Sequence, residues 1–344
     1  MKLRRIAVAA LLLVGAISSV LAGFAVYLYA AYQRPYDAGP AVTLVIPRGA
    51  GVDDIAKLLA EARVIEDALP FHFGLRVSGD NRPLRAGEYA FPAAISPRAA
   101  AEQIMSGRTV VHRLTIPEGL TTAQALKIVL DAEPLFGEIS RKPDEGALLP
   151  ETYNYSRGDL RDAMVGRMEK AMQAAIDAAW AERPADFPLK TPRELAILAS
   201  IVEKETGVPS ERPMVAAVFL NRLARGMKLQ TDPTVAYGVA KRDGRPGDWL
   251  DRPLTRADLA APTPYNSYLN DGLPPTPIAN FGRAALAAVI KPASTDALYF
   301  VADGSGGHAF ARTLDEHNRN VAKWRALNRN KPEPGRASPD AAAP

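Results

Sequence analysis

From position 6 to position 32 the chain carries no charge, and its side chains are apolar almost without interruption. Crossing a hydrocarbon core takes about 20 residues, so this run predicts a membrane-spanning helix over 6–32. After a short polar linker, 33–40, the pattern becomes that of a folded protein. "VTLVIPRGAGVDDIAKLLAEARVI" reads as a β-rich run, a Pro/Gly break, and a helix with Val52, Ile55, Leu58 and Leu59 on one face. Seventy positions on, "HRLTIPEGLTTAQALKIVLDA" echoes it. Ile46-Pro47-Arg48-Gly49 aligns with Ile116-Pro117-Glu118-Gly119, and Leu58 with Ile128. Thr121 and Gln124 have the spacing of a capping box, which sets the start of the second helix. Residues 41–133 therefore predict a small α/β module with a strand–helix unit used twice. Such modules often bind rather than catalyse; a plain structural spacer is the other reading.

A second domain is predicted over 134–328. "DAMVGRMEKAMQAAIDAAWAE" is a helix with a Met/Ala/Ile/Trp stripe suited to core packing. "TPRELAILASIVEKETG" has both ends of a helix written into it. Thr191 is the N-cap, Pro192 takes the first helical position, Glu194 completes a capping box, and Gly207 with Pro209 stops it. Another helix runs from a cap at Ser210 to a stop at Gly226. The segment from "MKLQTDPTVAYG" to "GLPPTPIANFG" predicts mostly loop, and loops this long inside a compact domain are usually functional. "ALYFVADGSGGHAFART" reads as a hairpin, and Thr313 with Glu316 caps a last helix carrying Val321 and Trp324. Residues 329–344 have the composition of a disordered tail. The fold class expected is α+β: one N-terminal transmembrane helix, a small α/β module and a mixed helical/β domain.

Composition narrows the chemistry. Forty-two basic and 38 acidic residues leave a net charge of +4, and the basic residues are dispersed without interleaved aromatics. No nucleic-acid partner is expected from that pattern. With no cysteine, disulfides, thiolate metal sites and cysteine nucleophiles fall away. The four histidines, His72, His112, His308 and His317, show no metal-ligand spacing, so no metal is expected. His308, after the turn "DGSGG", reads as a strand-end histidine satisfied by backbone. No serine sits in a G-x-S-x-G elbow, and no cofactor is expected. Lys2, Arg4 and Arg5 precede the apolar run, which predicts a cytoplasmic stub over 1–5 and the rest of the chain outside. A cleaved signal peptide is the alternative, since "VLAG" around Ala22 resembles a cleavage site. Against it, the run continues through Phe24 and Tyr29, and Tyr27, Tyr29 and Tyr32 suit an interfacial aromatic belt.

The stretch "SIVEKETG" then stands out. At about 100° per residue, Leu195, Leu198, Ile201 and Val202 make an apolar arc that includes Glu205, whereas Glu203 falls among Ala196 and Ala199. Burial pressure is thus expected mainly on Glu205. Both carboxylates lie in the last helical turn, where the macrodipole disfavours negative charge. Desolvation and dipole together raise a carboxyl pKa, as a proton donor to a leaving oxygen requires. Lys204 opposes this from another face. The plainer reading makes Glu205 a buried structural carboxylate paired with an arginine such as Arg222, and the wheel leaves both open. Asp232 in "QTDPT" reads most simply as an Asx-turn residue.

"LASIVEKETGVPSERPMVAAVFLNRLARGMKLQTDPTVAYG", "PTPYNSYLNDGLPPTPIANFG" and "LYFVADGSGGHAF…EHN" closely resemble the endolytic murein transglycosylases of the MltG (YceG-like) family. The resemblance covers nearly the whole chain. It implies a LysM-like module over 41–133 and a catalytic domain over 134–328. It also implies a bacterial inner-membrane enzyme that cuts nascent peptidoglycan glycan strands between MurNAc and GlcNAc without water, leaving 1,6-anhydro-MurNAc ends. The family's catalytic glutamate corresponds to Glu205, and Glu205-Thr206 looks like a variant of the Glu-Ser pair of lytic transglycosylases. Glu203 is the reserve acid or a solvated, supporting carboxylate. Gln230, Thr231, Asp232, Tyr237, Tyr265 and Asn266 are the expected sugar contacts, because carbohydrate recognition uses amide and hydroxyl hydrogen bonds with aromatic stacking. A partnership with penicillin-binding proteins follows from the resemblance alone. The chain departs from the family's pattern at Leu149, Glu151, Thr276 and Phe281, and by a longer stretch before "LTRADL". Two rivals stand beside this reading. One is a muramidase with Glu203 or Asp232 as second carboxylate. The other is a non-catalytic envelope protein that binds glycan and scaffolds synthases.

Overall fold

The apolar N-terminal run folds as one helix, α1 (Lys2–Gln33), in a computed structural model that describes residues 2–37 and 39–329. Over Arg4–Gln33 it is long and apolar enough to cross a membrane. Met1 and, apart from Arg329, the expected tail lie outside the described residues. The chain divides into two compact units, and the division falls within the strands β5 (His112–Thr115) and β6 (Thr152–Tyr155).

The first unit takes the chain up to Arg113 with Pro134–Phe136 and Asn154–Asp159. After α1 come β1 (Tyr36–Asp37), β2 (Val42–Ile46), α2 (Val52–Glu61), α3 (Ala68–Ser78), β3 (Gly87–Phe91), β4 (Ala94–Ile95) and α4 (Pro97–Ser106). β2 pairs antiparallel with β3, Val42 opposite Phe91 and Ile46 opposite Gly87, and β1 pairs with β4. Ile46, Ile55, Leu59, Phe71, Tyr89, Phe91 and Ile104 share its core. Of the apolar face expected on α2, Ile55 and Leu59 are buried, but Val52 is 44% exposed at the helix start. The C-terminal end of α1 packs within this unit. Leu28 and Tyr32 are buried, and the Tyr32 ring lies so close to Gly74 that a Cβ there would come within 2.0 Å of it.

The second unit is mainly helical. It holds α5 (Thr122–Asp131), α6 (Arg161–Ala181), α7 (Pro192–Glu205), α8 (Arg212–Ala224), α9 (Asp232–Arg242), α10 (Arg256–Leu259) and α11 (Arg283–Ile290). The hairpin β7 (Tyr299–Ala302) and β8 (His308–Ala311) follows in the predicted place, then α12 (Leu314–Arg329). α5 opens with the expected Thr121–Gln124 capping box. α7 is the central element, touching α6, α8, α9 and α11, and every residue from Leu195 to Glu203 is buried.

Several local readings change. Thr191 caps α7 by accepting from the Glu194 N–H at 3.2 Å, but Glu194 accepts from Lys190 N–H rather than completing the box. α7 ends at Glu205, before the expected glycine stop, because Thr206 is extended. Ser210 does not cap α8; it lies in a 3₁₀ turn, Pro209–Glu211. The segment expected to be loop contains α9 and α10. Pro233 in the first turn of α9 needs no N–H there, and Asp232 suits the positive helix end. Val235 and Val239 then bury one face of α9, and Tyr237 buries the opposite one.

Candidate active site

Glu203 and Glu205 leave the end of α7 in different directions. Glu203 is buried, with its side chain 3% exposed. One oxygen accepts from Arg212 Nη2 at 2.9 Å, and the other from the Gly282 N–H at 2.9 Å, at the N-terminus of α11. Burial, reinforced by neighbouring Glu118, pulls this carboxyl above its ordinary pKa; Arg212 and Gly282 pull it back. Glu203 is therefore not a solvated carboxylate: a guanidinium and a backbone N–H offset its burial. Glu203 neutralises Arg212 and caps α11.

Glu205 has a single hydrogen-bond donor among the described residues: the Thr231 hydroxyl, 2.9 Å from Oε2. No arginine among the described residues pairs with it. Arg222 instead donates to the carbonyls of Leu298 at 2.6 Å, Lys228 at 3.1 Å and Leu229 at 2.8 Å. Desolvation pushes the Glu205 pKa up to about 7, and the nearby Asp232 charge adds to it; the Thr231 hydrogen bond and the charges of His308 and Arg222 act in the opposite direction. Lys204 cannot neutralise it. Its ammonium sits 3.8 Å over the Trp249 ring and donates to the Gly119 carbonyl at 3.0 Å.

The Thr231 hydroxyl is available for this role because it does not cap α9, although Thr231 is that helix's N-cap residue. The preceding Gln230 holds a left-handed backbone, φ 49°, which is uncommon for a side chain of this kind. Its N–H donates to the Ser267 carbonyl at 3.1 Å, while Thr231 N–H donates to Ser267 Oγ at 2.9 Å. Ser267 thus pins the 230–231 turn against the loop after α10. From the same loop the Tyr268 hydroxyl donates to Asp232 at 2.7 Å. Burial and Asp232 hold the Tyr268 hydroxyl well above its ordinary pKa.

Of the six residues expected to touch a sugar, Thr231 and Asp232 are at Glu205, and Gln230 is exposed beside them. The other three have different work. Asn266 is fully buried and donates to the carbonyls of Leu259 and Ala261 at 2.9 and 2.8 Å. Tyr237, also fully buried, donates to Glu145 at 3.2 Å and stacks edge-on against Tyr265 with ring centres 4.9 Å apart. Tyr265 is 8% exposed and shares a 2.8 Å hydrogen bond with Thr276. These three shape the loops from behind.

The sequence reading missed one group. His308 is held by a carboxylate rather than by backbone: its Nδ1 and its backbone N–H both meet Glu211, at 2.7 and 2.8 Å. Thr206 Oγ1 donates to the same carboxylate at 3.3 Å. Glu211 therefore ties the residue after Glu205 to the first residue of β8. Only the proximity of "EKET" to "PSER" in the sequence hinted at Glu211; its partner His308 lies 97 positions away. Among the described residues no three His, Asp or Glu side chains converge as a metal site would require. What the arrangement can do is donate one proton near neutral pH from a carboxyl open enough to meet a ligand.

The comparisons with known proteins agree on one family. An endolytic murein transglycosylase of Bacillus subtilis is 29% identical over 320 residues, covering 84% of this chain and 86% of that protein. One from Streptococcus pneumoniae is 28% identical over 330 residues, covering 82% of this chain and 58% of the relative's length. A solved YceG-like protein of Listeria monocytogenes superimposes with a TM-score of 0.53 at 30% identity, over 81% of this chain and 98% of that one. The family model described as YceG-like matches residues 44–323, and with most of its length inside that match the chain belongs to the YceG-like family.

Proposed function

We propose that this chain is a membrane-anchored lytic transglycosylase that cuts peptidoglycan glycan internally, with Glu205 as its single acid and base. The observation that carries the reading is Glu205 itself: a carboxyl at a helix C-terminus, hydrogen-bonded among the described residues only to Thr231, with its pKa pushed up to about 7. Relatives named endolytic murein transglycosylases supply the substrate class. Protonated Glu205 gives its proton to the glycosidic oxygen as the C1–O bond of MurNAc breaks, and an oxocarbenium-like centre develops at C1. The resulting carboxylate takes the proton of the sugar's own C6 hydroxyl as that oxygen bonds to C1. Glu205 regains its proton, no water is consumed, and a 1,6-anhydro end remains. The nucleophile is tethered to the electrophile, so its effective concentration is high without a positioned water.

Lys2, Arg4 and Arg5 before the apolar run support an orientation with the N-terminus inside and the chain after α1 in the periplasm. An enzyme so placed meets glycan as it leaves a synthase, and penicillin-binding proteins are the partners this placement fits. A second reading, hydrolysis of the same bond, is favoured by one observation: Asp232 is exposed and close enough to Glu205 to raise its pKa. Two carboxylates of that kind are what a hydrolase uses. Glu203 does not fit as the second, being buried and committed to Arg212 and α11.

The test is product chemistry. Wild-type and Glu205→Gln chains are incubated with uncrosslinked glycan, and the new ends are read by mass spectrometry. Anhydro ends from wild type, with the rate lowered by about 10²–10⁴-fold in the variant, are expected for a single acid–base group. Reducing ends would select hydrolysis. Equal cleavage by both would remove Glu205 from the role, and no cleavage by either would favour a glycan-binding scaffold.

A further inference from the structure

One face of the first unit is apolar, exposed and contiguous with α1. On α3, Leu69 is 50% and Val77 56% exposed, and Phe73 between them is only half-buried. At about 100° per residue, with Leu69 at zero, Phe73 lies near 40°, Val77 near 80° and Gly74 near 140°. The buried side of α3 comprises Pro70, Phe71 and Gly74, and Gly74 is the residue against which the Tyr32 ring of α1 rests. The exposed stripe therefore begins where α1 docks and runs away from it. Arg76 and His72 follow on its far edge; His72 meets Asp53 at 3.2 Å, so the stripe has an apolar centre and one arginine at its margin.

The depth of α1 gives this stripe a partner. Counting about 20 residues of hydrocarbon thickness from Ile6 brings the outer boundary to the neighbourhood of Ala25. At that level α1 stops being exposed on all sides: Ala25, Leu28, Ala31 and Tyr32 are shielded along one face, with Leu28 and Tyr32 each 4% exposed. The first unit thus grips α1 from the membrane boundary outward, and α3 is its principal contact. An apolar helical stripe at that height, edged by an arginine able to reach phosphate, has the form of an interfacial helix.

We propose that α3 lies on the bilayer that α1 crosses, with Leu69, Phe73 and Val77 inserted at the headgroup–acyl boundary. The partner is a lipid surface. The inference rests on the anchoring reading above and adds that the first unit is held against the membrane rather than hanging from a free linker.

The chain has no cysteine, so Leu12→Cys, Leu69→Cys and Val77→Cys each give one site for an environment-sensitive fluorophore. The full chain is reconstituted in phosphatidylethanolamine–phosphatidylglycerol vesicles. Quenching is measured with deep and shallow nitroxide lipids and with aqueous iodide. The expected result is deep quenching at Leu12, and at Leu69 and Val77 at least about twofold stronger quenching by shallow nitroxide than by iodide, as for an interfacial helix. Deep quenching at Leu12 with iodide-accessible probes at Leu69 and Val77 overturns this inference and leaves the anchor standing. A Leu12 probe unquenched by deep lipid overturns the anchor, and this inference with it.

Discussion

Two glutamates two positions apart on one helix have been given different partners by what surrounds them. Glu203 receives a guanidinium and a backbone N–H, and Glu205 receives one hydroxyl. Raising the Glu205 pKa from its ordinary 4.5 to about 7 has two consequences. Cleavage that needs the protonated acid should fall as pH rises through about 7. Stability should fall across the same window. Below 4.5 folded and unfolded chains both hold the proton, whereas between 4.5 and about 7 the folded chain binds more protons than the unfolded one. Glu205→Gln should therefore stabilise the chain above pH 7 relative to its effect at pH 4, by about 1–3 kcal/mol, read from melts at the two pH values. Thr231→Val removes a hydrogen bond that favours the ionised form. The alkaline limb of its pH–rate profile should move upward, and an unmoved limb would mean that Thr231 does not act on Glu205.

At the scale of elements, α7 is held in place by its contacts with α9 and α11. Glu203→Ala leaves Arg212 and the N-terminus of α11 without their shared anion. Breaking a buried pair from one side costs about 3–5 kcal/mol, so a large fall in melting temperature is expected, with anhydro ends still produced wherever the chain remains folded. α9 in turn meets the 263–265 loop at a position without a side chain. A Cβ on Gly238 would come within 2.4 Å of Thr263 Oγ1 and 2.8 Å of Tyr265 Cβ. Gly238→Ala should cost about 1–3 kcal/mol by overpacking and disturb the Tyr237–Tyr265 pair; an unchanged melt would show that the 263–265 loop yields freely. Here the limits of pattern reading are physical. Caps, stops and alternation are local, so α5, α7 and the β7–β8 hairpin were legible. α9 was not, because its proline and polar first turn match a loop until tertiary burial of Val235, Tyr237 and Val239 selects the helix.

For the whole molecule, α1 is more than a tether. Leu28 and Tyr32 are buried in the first unit, and each such side chain contributes about 1.5–3 kcal/mol when fully removed from water. A chain beginning at Tyr36 should therefore melt its first unit at a lower temperature than one beginning at Ala25. Differential scanning calorimetry of the two would check this, and coincident melts would mean that Leu28 and Tyr32 add no stability. Cleavage of soluble glycan should survive either truncation, since the residues at Glu205 all belong to the second unit.

The amino-acid sequence by itself determined the apolar N-terminal helix, the mixed α/β class, the hairpin, both ends of the stretch that became α7 to within two residues, and the family. These rest on hydrophobic period, capping chemistry and ordered motifs, all carried by neighbouring residues. Glu205 was also singled out by sequence, from its place at a helix end. Only the tertiary structure decided what surrounds each carboxylate. It set Glu203 against Arg212 and Gly282, turned Arg222 from a supposed partner of Glu205 into a ligand of backbone carbonyls, and gave His308 to Glu211. It also sent Asn266 and Tyr237 into the interior. The reason is common to all four changes. A helical wheel reports the direction of a side chain but not what arrives from elsewhere in the chain, and the charge state of a buried group depends on those arrivals.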